Sequence, residues 1–153
     1  MNRMGCVVAA CVAATLAGAM PARAADLTEA EQLRGLDVML MVTSLRCRTT
    51  PDDFQEDFQR FEAGHLAILN EAASDLRSAV VVSGGPADAS RAVDRLSTRM
   101  ANRYGQGHPW LGCAQLKLAT RILAGSEGRA ALVEAADQLL APARTEAFAF
   151  AGP

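Results

Sequence analysis

Helix-start chemistry recurs along this chain ahead of apolar positions spaced by three or four, and no stretch sustains the alternation of β-branched and aromatic residues that a strand requires. That pattern restricts the fold to an all-α bundle, read as five helices closed by one disulfide. Thr28 and Glu31 form a capping box, each side chain taking up a backbone N–H that the helix start leaves unpaired. Leu33, Leu36, Leu40 and Cys47 follow at helical spacing, and Val38, Met39, Met41, Val42 and Leu45 fill the other sides. A helix apolar nearly all round is a central one. Thr50-Pro51-Asp52-Asp53 offers a second start, with a cap, a proline at the first helical position and carboxylates in the first turn. From there Phe54, Phe58, Phe61, His65, Ile68, Ala72 and Leu76 step by three or four to about Ala79, and Ser83 to Pro86 reads as a turn. The third helix carries Ala89, Val93, Leu96 and Met100 on its apolar face. A fourth is expected to start at Pro109 and to point Leu111, Ala114, Leu118 and Ile122 inward. The fifth, after Gly125-Ser126, carries Leu132, Val133, Ala136, Leu139 and Leu140 and stops near Pro142.

The first residues carry a different signal. Arg3 precedes the apolar stretch Gly5 to Ala19, which is shorter than the roughly 20 residues that span a bilayer, and Ala22-Arg23-Ala24 is an A-x-A cleavage pattern. Residues 1–24 therefore read as a secretory signal peptide, 25–145 as one helical domain and 146–153 as a loose tail, with no transmembrane segment in the mature chain. Cys6 and Cys11 leave with the leader. The remaining Cys47 and Cys113 meet an oxidising compartment, where a disulfide is expected in preference to two free thiols or a metal site. The location implied is periplasmic or secreted. Without Arg3 and Arg23, 13 cationic side chains face 17 anionic ones, which leaves no basic excess for nucleic acid.

Chemistry is thin. Glu62-Ala-Gly-His65 has the spacing of a di-iron ligand pair, but such sites need a second copy that the chain does not offer, so His65 reads as a packed core histidine. The cluster Asp52, Asp53, Glu56 and Asp57 reads as a solvent-facing first turn that complements the helix dipole. No nucleophile elbow, phosphate-cradling loop, haem-attachment motif or zinc cysteine pair occurs, so no catalytic residue, metal or cofactor is assigned. Two places remain for ligand contact. Tyr104, His108 and Trp110 gather the only Tyr, the only Trp and a histidine in one glycine-flanked loop, and an apolar ring with a polar tip can grip a ligand. Arg91, Arg95, Arg99 and Arg103 recur every four residues on one stripe, either as a solvated face paired with Asp88 and Asp94 or as the contact for an anionic ligand or an envelope partner.

The strings Leu36 to Thr43, Leu45 to Thr50, Asp53-Phe54-Gln55 and Tyr104-Gly-Gln-Gly-His-Pro-Trp-Leu-Gly-Cys113 resemble a family of small exported alphaproteobacterial proteins, some of which carry the label S-adenosyl-L-homocysteine hydrolase. That enzyme is a much longer cytosolic NAD protein with a Rossmann glycine motif this sequence lacks. The resemblance implies a helical exported protein and transfers no catalytic residue. The function expected is a non-enzymatic binding or stress-protective module, one version of which is similar to acid-activated periplasmic chaperones. The alternative is an envelope hydrolase using His108 with a nearby carboxylate as general acid or base.

Overall fold

In a computed structural model of the chain, residues 28–84 and 86–140 are described, and they contain five helices and no strand. Residues 1–24, read from the sequence as a signal peptide, the expected stop near Pro142 and the expected tail 146–153 lie outside them. The helices are α1 (Glu29–Cys47), α2 (Gln55–Gly84), α3 (Pro86–Tyr104), α4 (Cys113–Ala124) and α5 (Arg129–Leu140).

α1 starts where its sequence dictates. Thr28 Oγ1 accepts from Glu31 N at 3.3 Å while Glu31 Oε2 accepts from Thr28 N at 2.9 Å, the reciprocal capping box. Ten of its 19 residues are buried, Leu33, Gly35, Leu36, Met39, Leu40 and Cys47 among them, and these lie on more than one side of the helix. α1 is accordingly packed by all four other helices. Thr43 can sit in this core because its hydroxyl donates to Met39 O at 2.7 Å, so no polar group is left unpaired. At Gly35 the absence of a side chain admits α3 and α5 together: a Cβ there would lie 2.8 Å from Leu140 Cδ1 and 3.2 Å from Met100 Cε.

Pairings fix the directions. Arg34 donates to Ser97 Oγ and Arg129 to Glu29, so α3 and α5 run with α1. Lys117 with Pro51, Arg121 with Asp57 and His65 with Leu123 make α4 run alongside α2, which turns back on α1. Cys47 and Cys113 form the expected disulfide, tying the end of α1 to the start of α4 with their Cα atoms 5.7 Å apart.

Three element boundaries and one helix face differ from the sequence reading. α2 starts at Gln55 rather than at Thr50-Pro51: Thr50 Oγ1 donates to Cys47 O at 2.7 Å and accepts from Asp52 N at 3.3 Å, closing a separate turn after α1 that does not run on into α2. The helix start falls to Asp53, whose Oδ1 accepts from Gln55 N at 3.0 Å. α2 continues past Ala79 to Gly84, and α3 begins at Pro86 in its favoured first position, so Ser83, Gly84 and Pro86 of the expected turn lie in helix. Valine costs a helix only a few tenths of a kcal/mol relative to better helix formers, so a short valine run need not end one. α4 starts at Cys113 rather than Pro109, and Gln115 Oε1 accepts the Gly112 N–H at 2.9 Å. Its inward face is Leu116, Thr120 and Leu123, while Leu118 and Ile122 are 59% and 63% exposed. Thr120 passes for polar in a sequence, yet its hydroxyl donates to Leu116 O at 2.7 Å and it is fully buried.

Candidate functional site

The loop between α3 and α4 carries Tyr104, His108 and Trp110, and the structure brings all three rings together. His108 lies 5.4 Å from the Tyr104 ring in a stacked pair and 4.5 Å from Trp110 edge-on. The turn depends on Gly107, whose φ of +114° is a left-handed conformation that suits glycine, and a Cβ there would lie 3.2 Å from Arg46 Nε. His108 is buried, and its Nε2–H donates to Leu139 O at 2.9 Å, so the loop is latched to the last turn of α5. Nδ1 accepts a long contact from Trp110 N at 3.5 Å. Both ring nitrogens are thus engaged, and among the described residues no carboxylate hydrogen-bonds to either.

Burial lowers the affinity of His108 for a proton below the ordinary imidazole value, the Leu139 carbonyl pulls the other way, and the Arg103 charge adds to the lowering. Tyr104 is fully buried beneath the Arg103 guanidinium, which stands 5.4 Å from its ring centre. Desolvation raises its phenol above the ordinary value against the opposing pull of Arg103, and its hydroxyl meets no partner among the described residues. The three rings form a packed plug over the end of α5.

The arginine stripe is different in kind. Arg91, Arg95 and Arg99 stand along α3 on the rim of an open groove of roughly 680 Å³, with Leu76 of α2 and Val93 and Leu96 of α3 among its apolar lining and Glu31 of α1 contributing to its wall. Arg91 pairs with Asp88 at 3.0 Å. Arg95 and Arg99 make no ion pair among the described residues, and Glu31 is engaged by Thr28 N and Oγ1 at 2.9 and 3.0 Å. The groove therefore offers two uncommitted guanidinium groups above an apolar floor. The arginine row itself is visible in the sequence at its spacing of four. The floor is not, because it joins Leu76 of α2 to Val93 and Leu96 of α3 across a helix pairing that no spacing reveals.

The remaining candidates are structural. His65 is buried against Phe61, ring centres 5.2 Å apart, and its Nε2–H donates to Leu123 O at 2.8 Å, which matches the core-histidine reading. Glu62 beside it is exposed, and no group of three or more metal-ligating side chains occurs among the described residues. Desolvation and the nearby Asp37 charge raise Glu62 above the ordinary carboxylate value, and burial does the same to Asp37 against the pull of Arg34. Asp57 corrects the solvent-facing reading of its cluster. Its side chain is buried and held by Arg60 and by Arg121, the latter at 3.3 Å, which staples α4 to the first turn of α2. The sequence signal that could have found it is Arg60 three residues on, a helical ion-pair spacing.

No protein-family model, no curated protein and no solved structure matches this chain.

Proposed function

We propose that this chain is an exported, disulfide-closed helical bundle of the periplasm or extracellular space that works as a non-enzymatic binding module, engaging an anionic partner through the α3 face of Arg91, Arg95 and Arg99. The observation that carries the reading is the pair Arg95 and Arg99, set on the rim of a groove with no carboxylate holding them among the described residues. Guanidinium groups present planar forks matched to carboxylate, phosphate and sulfate, so an unpaired pair one helical turn apart is suited to an oxyanion. Export is supported by the apolar leader with its A-x-A pattern and by a disulfide, which persists in oxidising compartments. The resemblance to exported alphaproteobacterial proteins agrees with that location. The hydrolase alternative, which pairs His108 with a nearby carboxylate, gains nothing from the geometry, since among the described residues no carboxylate hydrogen-bonds to His108 and both ring nitrogens are engaged by other groups.

A binding isotherm of the mature protein with dextran sulfate and with decanoate at about 50 mM salt tests the reading, since exposed charge pairs are least screened there. Saturable binding to at least one, weakened in Arg95→Gln/Arg99→Gln, is the expected result. No binding to either, or equal binding by the variant, overturns it. Intact mass of periplasmic protein, alkylated without reductant, tests export and oxidation together: a chain beginning at Ala25 with both thiols protected is expected.

A second reading, stress protection in acid, rests on the His108 latch, because a buried neutral histidine must take up charge as the pH falls. It predicts suppression of client aggregation at about pH 3, and no suppression there refutes it.

A further inference from the structure

The geometry points to a single-tailed anionic amphiphile, held as one molecule, as the occupant of the α3 groove: a carboxylate, phosphate or sulfate head on Arg95 and Arg99 and an apolar tail along Leu76, Val93 and Leu96. This rests on the anionic-face reading above and narrows its ligand class.

Two features of the groove select for this chemistry. The first is its charge pattern. A linear polyanion would call for a continuous row of uncommitted cations, but Arg91 is already paired with Asp88 and Arg103 is drawn over the Tyr104 ring, which leaves Arg95 and Arg99 as the members of the row without an ion pair among the described residues. Their attachment points lie about 6 Å apart, the spacing of neighbours one turn along a helix, so both can reach one head group. Asp94, exposed on the same turn, and the capped carboxylate of Glu31 lie along the groove as well and disfavour a ligand with charge along its whole length.

The second is the floor. Leu76 and Val93 are only partly covered, and Leu96 closes the bottom of the groove against the core. A hydrophilic anion would leave this apolar lining against water, whereas a hydrocarbon tail removes it. At roughly 680 Å³ the groove falls within the approximate 300–1,000 Å³ range of small-molecule sites, large enough for one alkyl chain.

Calorimetric titration of the full mature protein with octanoate, decanoate and dodecanoate, each below its micellar concentration, reads the tail and the head separately. Decanol supplies the tail without charge, dextran sulfate the charge without a tail, and phosphatidylglycerol vesicles the same chemistry as a surface. Affinity is expected to rise about two- to fourfold per added methylene, the increment for burying a CH₂. Decanol should bind at least about tenfold more weakly than decanoate, and Arg95→Gln/Arg99→Gln should lose about tenfold for decanoate with its helical circular dichroism unchanged, the size expected of a charge-assisted contact. Val93→Ser should shallow the chain-length dependence without touching the head-group term.

Binding of dextran sulfate with no dependence on chain length would overturn the amphiphile and leave the anionic-face reading standing. Capture by vesicles without binding of monomeric decanoate would overturn it in favour of a membrane surface. An unchanged chain-length dependence in Val93→Ser would place the tail elsewhere and also overturn it. Absence of binding to every probe would remove both this inference and the reading beneath it.

Discussion

Opening the Cys47–Cys113 bond is expected to be the largest single perturbation this fold can suffer without losing a side chain from its core. The two cysteines are 66 positions apart. On the chain-entropy argument, closing a loop of that length removes about 4 kcal/mol of conformational freedom from the unfolded chain. Set against a total stability of about 5–15 kcal/mol, that is between a quarter and most of it. For a bundle of this size the loss corresponds to a fall of roughly 15 °C in Tm. The clean assay compares urea unfolding of the oxidised protein with the same protein after reduction, with Cys47→Ala/Cys113→Ala as a check. The alanine pair adds a small cavity loss at buried Cys47, so it should read slightly lower than the reduced protein. Because the bond restricts the unfolded chain, the denaturant slope should also steepen on reduction as that chain expands. A loss below about 1 kcal/mol with an unchanged slope would refute the argument, since it would mean that the unfolded chain is no freer once the tie is cut.

Phe61, fully buried against His65, should cost about 3–5 kcal/mol on replacement by alanine in the same urea assay, and a cost near zero would place it outside the core. Leu116→Ala should cost about 2–5 kcal/mol whereas Leu118→Ala should fall within about 0.5 kcal/mol, because α4 buries the first and exposes the second; equal costs would contradict its orientation. Asp57→Asn should cost about 1–2 kcal/mol, the lower part of the range for hydrogen bonds to charged groups, because Arg60 and Arg121 keep access to water; no change would mean that the carboxylate does not staple α4. His108 binds its proton more weakly in the folded state than its ordinary value of 6.5, so its contribution is fully present above that value and is lost as the pH falls through the window below it. Asp37 and Glu62, which burial pushes up, act oppositely in the carboxylate range. Tm measured between about pH 7.5 and 5.5 should therefore fall less in His108→Gln than in the parent, and parallel curves would show that the latch does not titrate there.

How much of this was legible in the sequence depended on whether a signal was local. The Thr28–Glu31 capping box uses residues three apart and was readable in full, as was the apolar girth of α1. The start of α2 was not, although its signals are just as local, because Thr50 and Asp53 are both competent caps and both accept a backbone N–H, Thr50 in the turn after α1 and Asp53 at the start of α2, so residue type alone does not say which opens the helix. The face of α4 was misread because two stripes of similar hydrophobicity compete on it, and the winning one contains a threonine that satisfies its own hydroxyl. The rings of Tyr104, His108 and Trp110 were expected together and are together. What no spacing could reveal is that Leu139 would occupy the histidine, or that Leu76 and Glu31 would come to flank the arginines.

The central position of α1 bears on the order in which the chain becomes available. Among the described helices α1 is the first to emerge during synthesis, yet Gly35 and its neighbours are enclosed only when Leu140, at the end of α5, arrives against them. The segment with the greatest need of cover thus travels longest without it. Its native contacts span the whole described chain: α2 covers one side of it early as a hairpin, but α3, α4 and α5 must follow before it is enclosed, so a nascent chain lacking α5 leaves part of an apolar helix uncovered and prone to association.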